Sequence, residues 1–502
     1  MAHPPPVPAE PMKAAPEAPP APKTATGYDT APPVALLDFM VKRWRPASGK
    51  PPKALPHHEA FERRRRALSA LFPGETLVIP TGEEKVRSND TVYRFRPGSD
   101  FYYLTGNLEP DCVLLLQPVL GGGHRHVLYV EPNPGRTDST FFTDRMKGEL
   151  WVGPRLGLSG SLARYRVDEV RPLGDFKAAV AALQGAGTPA RPFRVARGTS
   201  RLVDASLPDQ GAKDMDFAAA LAEMRLYKDA QEVRELSAAI ASTKRGFEDV
   251  IRSLKTGHTE RTVEGVFNLR ARVEGNDVGY GTIAAAGAHA CVLHWMRNDG
   301  PLHKGELLLL DAGVEAKSLY TADVTRTLPI SGKFSREQRE VYSLVHRAQA
   351  AAFAAVRPGN DFLEPNRRAM KVLAEGLEAL GILEDAEVAL ADENQFYKRY
   401  SLHNVSHMLG LDVHDCAQAR MEVYKYGTLK PGMVLTVEPG LYFQEDDLTV
   451  PPRYRGIGVR IEDDVLVTAT GMRNLTRDFP SEASAVETWM ARAWKSKPPR
   501  HM

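Results

Sequence analysis

Cysteine is scarce. Cys112, Cys291 and Cys416 are three residues in 502, widely spaced and odd in number, so no disulfide framework is implied and a reducing, cytoplasmic setting is expected. Charge of one sign is missing as well. The 65 Lys plus Arg stand against 63 Asp plus Glu, a formal net charge of +2, which gives no reason to expect nucleic acid or a membrane surface as partner. No apolar run approaches the roughly 20 residues of a membrane span. Phosphate loops are lacking: Gly121-Gly122-Gly123 lies between strand-like segments and is expected to be a hairpin turn. Gly157-Leu158-Ser159-Gly160-Ser161 departs from the serine-hydrolase elbow at its fifth position.

What the chain does have is length enough for two domains and a sizeable core. Residues 1–30 are dominated by proline and alanine, without the basic start and apolar centre of a secretory signal, and are expected to be a disordered, partly polyproline extension. From 31 to 215, strands such as Leu77-Val78-Ile79-Pro80 and Val113 to Leu116 alternate with helical stretches, which predicts an α/β domain. The run Arg63-Arg64-Arg65-Arg66 within it is expected to be a solvated helix face. A polar stretch from Asp204 to Asp214 marks the boundary. From 216 to 490, helices are predicted at Asp229 to Leu254, Glu260 to Glu274, Arg336 to Val356 and Phe362 to Leu380. Strands are predicted at Thr282 to His294, Val434 to Glu438 and Ile457 to Thr468, making this half α+β, with 491–502 a tail.

The chemistry centres on Gly305-Glu306-Leu307-Leu308-Leu309-Leu310-Asp311-Ala312-Gly313, a strand buried on both faces, and its hairpin partner around Tyr320 to Thr327. The first ends in an aspartate and the second carries Asp323. Burying a carboxylate costs several kcal/mol unless it is paired or bound to a cation, and two facing carboxylates repel. Arg326, three residues on, falls on the opposite strand face from Asp323 and is poorly placed to neutralise it. Further candidates follow downstream. His403, His407 and His414 lie within twelve residues, Glu438 ends the apolar strand Val434 to Val437, and Arg460 and Glu462 share a strand face with Ile461 opposite. Singly, each is an ordinary turn residue, surface pair or core histidine. Jointly, four carboxylates and an imidazole on separate buried strands form an oxygen-rich set suited to two divalent ions of the manganese type, with zinc, cobalt or iron also compatible. Two dications against four carboxylates and a hydroxide leave about one net negative charge, which a buried site tolerates.

The set Asp311, Asp323, His407, Glu438 and Glu462, in that order and local context, resembles the dinuclear metallopeptidase family with the pita-bread fold. Phe95 to Gly106 and Met224-Arg225-Leu226-Tyr227-Lys228 narrow the resemblance to the Xaa-Pro aminopeptidases, the aminopeptidase P group, over roughly residues 55 to 480. The turn between Asp311 and Asp323 is one residue longer than that pattern. The resemblance implies a creatinase-like α/β domain ahead of a pita-bread catalytic domain. It implies two Mn(2+) ions chelated by Asp311, bridged by Asp323 and Glu462, and completed by His407 and Glu438. It further implies attack of a metal-bridging hydroxide on the first peptide bond of Xaa-Pro peptides, with Glu438 taking a proton, His414 bonding the tetrahedral intermediate and His294 assisting. His403 and Tyr442, with Arg460 nearby, would wall the proline pocket, and a homodimer or homotetramer is expected. Two alternatives stand beside this: an Xaa-Pro dipeptidase (prolidase), and a non-catalytic pita-bread protein that only binds peptides or partners.

Overall fold

In a computed structural model, which describes residues 31–45, 50–184, 192–254 and 257–496, the strand Leu307–Ala312 is buried at every position. Its alternation has consequences on two sides. Leu308, Leu310 and Ala312 face the main core, whereas Leu309 packs with Ile283, Ala285, Cys291 and Tyr442, so Asp311 shares the Leu309 face. The proline- and alanine-rich residues 1–30, together with 497–502, lie outside the described residues.

The described residues divide into two compact units. One comprises those up to Gly98 with Asn107–Phe193 and Gly198–Leu207, and the other Ser99–Gly106, Arg194–Arg197 and the chain from Pro208 onward. In the first, strands Glu169–Pro172, His124–Val130, Val113–Pro118 and Thr76–Pro80 lie side by side in that order. The inner pairings are antiparallel, with Leu77 opposite Leu116 and Val113 opposite Tyr129, and Gly121 to Gly123 form the predicted hairpin turn, all at positive φ.

The second unit is α+β. Leu307–Ala312 pairs antiparallel with Val324–Pro329, setting Asp311 opposite Thr325, and on its other edge with Ile283–Ala286. Val434–Val437 pairs with Asp463–Val467, and Gly440–Tyr442 with Gly458–Arg460. Helices Ala230–Ser253, Glu260–Glu274, Arg336–Ala355 and Glu364–Ala379 occupy the predicted stretches to within two residues at either end. Their starts follow from local chemistry: Asp229 with Glu232, and Ser335 with Gln338, form reciprocal capping boxes that satisfy otherwise orphaned N–H groups. Leu236, Ile240, Phe247 and Ile251 then recur at helical spacing and carry the first of these helices into the core.

Three expectations need correction. Arg64 and Arg65 are buried while Arg63 and Arg66 stay exposed, because four successive helical residues turn through most of a circle and cannot share one wet face. Arg65 donates to His126 Nδ1 at 3.3 Å and to the Arg166 carbonyl at 3.1 Å. The strand predicted from Thr282 to His294 is only Ile283–Ala286. Gly287, at φ +54°, turns the chain into a 3₁₀ segment, and His294 lies beyond it. The strand predicted from Ile457 to Thr468 breaks at Ile461 and Glu462, whose N–H groups go to the Pro439 and Thr325 carbonyls instead of a common neighbour.

Asp311 and Asp323 come together at a crossing where no side chain fits. Gly279 donates to the Gly313 carbonyl at 2.9 Å, and a Cβ placed on Gly313 would fall 1.7 Å from the Ala322 carbonyl oxygen. Gly313→Ala is therefore expected to destabilise the fold by about 2–3 kcal/mol, read as a lower urea midpoint. An unchanged midpoint would show the crossing to be looser than this.

Candidate metal centre

Each acidic side chain reaches the same volume from a different backbone element. Asp311 comes from the end of Leu307–Ala312 and Asp323 from the residue before Val324–Pro329. Glu438 follows Val434–Val437, and Glu462 sits in the break between Gly458–Arg460 and Asp463–Val467. That break is clamped from behind. Arg326, fully buried, donates to the Glu462 carbonyl at 2.6 Å and to Asp463 Oδ1 at 2.8 Å, so it serves the Glu462 backbone and does not pair with Asp323. The Glu462 carboxylate accepts from Thr325 Oγ1 at 2.7 Å.

His407 lies in irregular chain, so the helical arrangement that its four-residue spacing from His403 allows does not form. Its backbone exchanges bonds with Thr436, and its Nδ1 is 3.1 Å from the Met408 carbonyl. Donation from Nδ1 to that carbonyl leaves Nε2 facing the acids, at 3.3 Å from Asp323 Oδ2 and 3.4 Å from Glu438 Oε1. Ligand atoms of Asp323, His407 and Glu462 all lie within 4.8 Å of one another. Tyr280 ties Asp311 to this group, with its hydroxyl 2.7 Å from Asp311 Oδ1 and 2.5 Å from Asp323 Oδ1. One hydroxyl proton serves only one carboxylate at a time, so the other calls for a proton or a cation.

The electrostatics agree. Burial, reinforced by Asp323 and Glu438, pushes Glu462 well above the usual carboxylate range. Burial likewise raises Glu438 to about 7 against the pull of His407 and Arg460, and raises Asp311 despite Arg460. Burial works against charge on His407, but Asp323 and Glu438 overcome it and hold its imidazolium to about 9. Crowded acids that cannot all ionise, with an imidazole nitrogen aimed among them that becomes a ligand on losing its proton, fit a divalent-metal centre.

A cavity of about 460 Å³ opens on these groups, and Asp311, Asp323, His407, Glu438 and Glu462 all line it with His294, His403, His414 and Arg460. His414 packs edge-on against His407, ring centroids 4.5 Å apart. Tyr442 stands one layer back, 5 % exposed. Its hydroxyl lies 2.7 Å from His403 Nε2 and accepts from Arg460 at 3.0 Å, while His403 Nδ1 lies 2.9 Å from the Asn404 carbonyl. Burial, with Arg460 nearby, lowers His403 to about 4, so it is neutral, donates through Nδ1 and accepts from Tyr442. Arg460 also grips Asp311 Oδ2 at 2.6 Å and so reaches the cavity largely committed to its neighbours. Sequence reasoning missed Tyr280 and Asp464. The first is signalled only by flanking glycines. The second is fully buried and accepts from the Asp323 N–H at 3.2 Å.

Because bound cations need ionised carboxylates and a neutral His407, loading them must expel protons held by groups with raised pKa. At pH 6.5, metal-free protein is expected to release about two protons per chain on saturation, with affinity rising as pH increases through 7. Titration calorimetry in buffers of different ionisation enthalpy reads this directly. Heats independent of buffer would contradict it.

Residues 234–469 match the model of metallopeptidase family M24, and residues 61–189 match that of the aminopeptidase P N-terminal domain. Xaa-Pro aminopeptidase 1 of Streptomyces coelicolor is 52% identical over 432 residues, covering 85% of this chain and 86% of that protein. Xaa-Pro aminopeptidase of Escherichia coli is 32% identical over 455 residues, covering 87% and 98%. Among solved structures, Pseudomonas aeruginosa aminopeptidase PepP superposes with a TM-score of 0.77 at 34% identity, covering 88% of this chain and all of that one. Aminopeptidase P from E. coli with the inhibitor Pro-Leu gives 0.78 at 30%, with the same coverage. Two domain matches in the right order, and half the sequence shared over most of both chains, make this chain a member of metallopeptidase family M24, in its aminopeptidase P group.

Proposed function

We infer that this protein is a metal-dependent exopeptidase that hydrolyses the first peptide bond of peptides beginning Xaa-Pro. The observation that carries the reading is the convergence of Asp311, Asp323, His407, Glu438 and Glu462 on one cavity. Those five side chains would hold two divalent ions, manganese in this reading, which would supply an activated water and a positive counter-charge for the carbonyl oxygen. Glu438, at the edge of the acidic group and lining the cavity, accepts the proton given up by the attacking water. His414 hydrogen-bonds the tetrahedral intermediate from the cavity wall, and His294 orients the substrate or passes a proton.

The bond before proline is a tertiary amide without an N–H, so a site that demands that donor rejects it. His403, fixed in one tautomer by Asn404 and Tyr442, gives the pyrrolidine a flat neutral wall, and Arg460 holds Tyr442 in place. Residues 31–215 form the amino-terminal domain and 216–490 the catalytic one. The protein works in the cytoplasm, where its three buried thiols stay reduced, as a homodimer or homotetramer. Among the described residues, no helix is long and apolar enough to cross a membrane.

Metal-reconstituted protein is expected to cleave Xaa-Pro-Yaa and longer peptides. Cleavage of Xaa-Pro dipeptides with none of tripeptides would convert the reading to a dipeptidase. Asp323→Ala is expected to lower bound metal and to cut kcat by at least about 1000-fold, measured by elemental analysis beside the peptidase assay. Full activity in that variant would remove the metal centre from the reaction.

A further inference from the structure

Two stretches distinctive in the sequence, Phe95 to Gly106 and Met224 to Lys228, contribute nothing to the cavity wall. Both converge on the chain just beyond His407. Arg225 donates to Asp100 at 2.8 Å and lies 3.5 Å from Asp412 and 3.4 Å from Asp415. Ser99 Oγ donates to Asp412 Oδ1 at 2.5 Å, and Lys228 Nζ to Asp415 Oδ2 at 3.0 Å, with both side chains of that last pair 1 % exposed. Lys228 and Arg225 keep the Asp415 carboxyl below its ordinary value against the effect of burial, so the pair is ionic.

Stability alone is a poor reason for such a cluster, since replacing a buried ion pair by apolar side chains is often neutral or better. What the cluster does fix is geometry. Asp415 is the residue after His414, and its N–H donates to the Met408 carbonyl at 2.9 Å, closing the loop 408–415. A Cβ on Gly410 would fall 2.1 Å from Asp415 Oδ2, so the loop is folded tightly over the ion pair. His407 has its own anchors in Thr436 and in the bridge between Met408 and Leu435. His414 differs: among the described residues its imidazole has no hydrogen-bond partner, and its placement rests on Asp415 and on packing against His407.

We propose that Ser99, Asp100, Arg225 and Lys228, acting through Asp412 and Asp415, are positioning residues that set the reach of the His414 imidazole into the cavity for the hydrolytic step. This rests on the role given to His414 above. The cluster touches no substrate. It holds one backbone position so that a side chain without bonds of its own meets the developing oxygen charge at a fixed distance, where small misplacements are costly.

The test uses the full, metal-loaded chain and an Xaa-Pro-Yaa peptide, with Asp415→Asn and Ser99→Ala made alone and in a His414→Gln background. In the wild-type background, kcat is expected to fall at least about 10-fold for Asp415→Asn and about 3-fold for Ser99→Ala, with KM within about 2-fold and bound metal unchanged. In His414→Gln, each is expected to change kcat by less than about 2-fold, because the group it positions is gone. Losses that multiply in that background, an unchanged kcat in both single variants, or loss of metal from Asp415→Asn would overturn the proposal. Should Asp415→Asn fold poorly, Ser99→Ala, at the half-buried edge of the cluster, gives the same comparison alone. His414→Gln as fast as wild type would overturn the role of His414 itself, an outcome distinct from multiplied losses in a slow His414→Gln enzyme.

Discussion

Mutual repulsion among four crowded carboxylates, three of them buried and Glu438 half-buried, is the constraint around which the catalytic half of this protein is built. Asp311, Asp323, Glu438 and Glu462 share one small volume, and the nearby protein groups able to offset them are few: the His407 imidazole, the Arg460 guanidinium and the Tyr280 hydroxyl. Left to themselves, such acids would drive the strands apart or take up protons. The surrounding structure resists the first outcome. Arg326 pins the chain behind Glu462, Thr325 holds its carboxylate, and the glycine crossing at Gly279 and Gly313 brings the backbones beneath Asp311 and Asp323 close. Cations relieve the second.

The division of labour between regular and irregular chain follows from the same constraint. Asp311 comes from within a buried strand and Asp323, Glu438 and Glu462 from residues directly at strand ends, where the neighbouring buried strands fix the backbone closely, and an error of an ångström between like charges is expensive. The histidines come from loop, where the rings need orientation more than compensation. His403 obtains it from Asn404 and Tyr442, and His407 from Met408 and Thr436. The long helices contribute no group to the cavity and serve as its packing support.

Much of this was legible because it depends on short-range periodicity. Leu309 and Asp311 share a face by strand parity alone, and the helix limits at Glu260 and Glu274 follow from patterns within one segment. Parity also separated Arg326 from Asp323, and the structure finds it on Asp463. What stayed hidden depends on partners distant in sequence. Nothing local says that Ile461 and Glu462 leave their strand to bond Pro439 and Thr325. Burial of Arg64 and Arg65 requires knowing that the Arg166 carbonyl and His126 lie against that helix. Tyr280, between two glycines, carries no pattern that distinguishes a hydroxyl bridging two acids from a turn tyrosine.

Arg460 has one arm on Asp311, within the acidic group, and another on Tyr442, which in turn fixes His403 on the wall. Electrical state at the centre and shape at the rim are therefore joined through a single guanidinium. By thermodynamic reciprocity, whatever alters the hold of Arg460 on Asp311 also alters how firmly the rim imidazole is oriented, and a guest that moves the imidazole feeds back on ion retention. Reshaping the rim for a different guest thus retunes the centre with it, and the two traits cannot be selected separately.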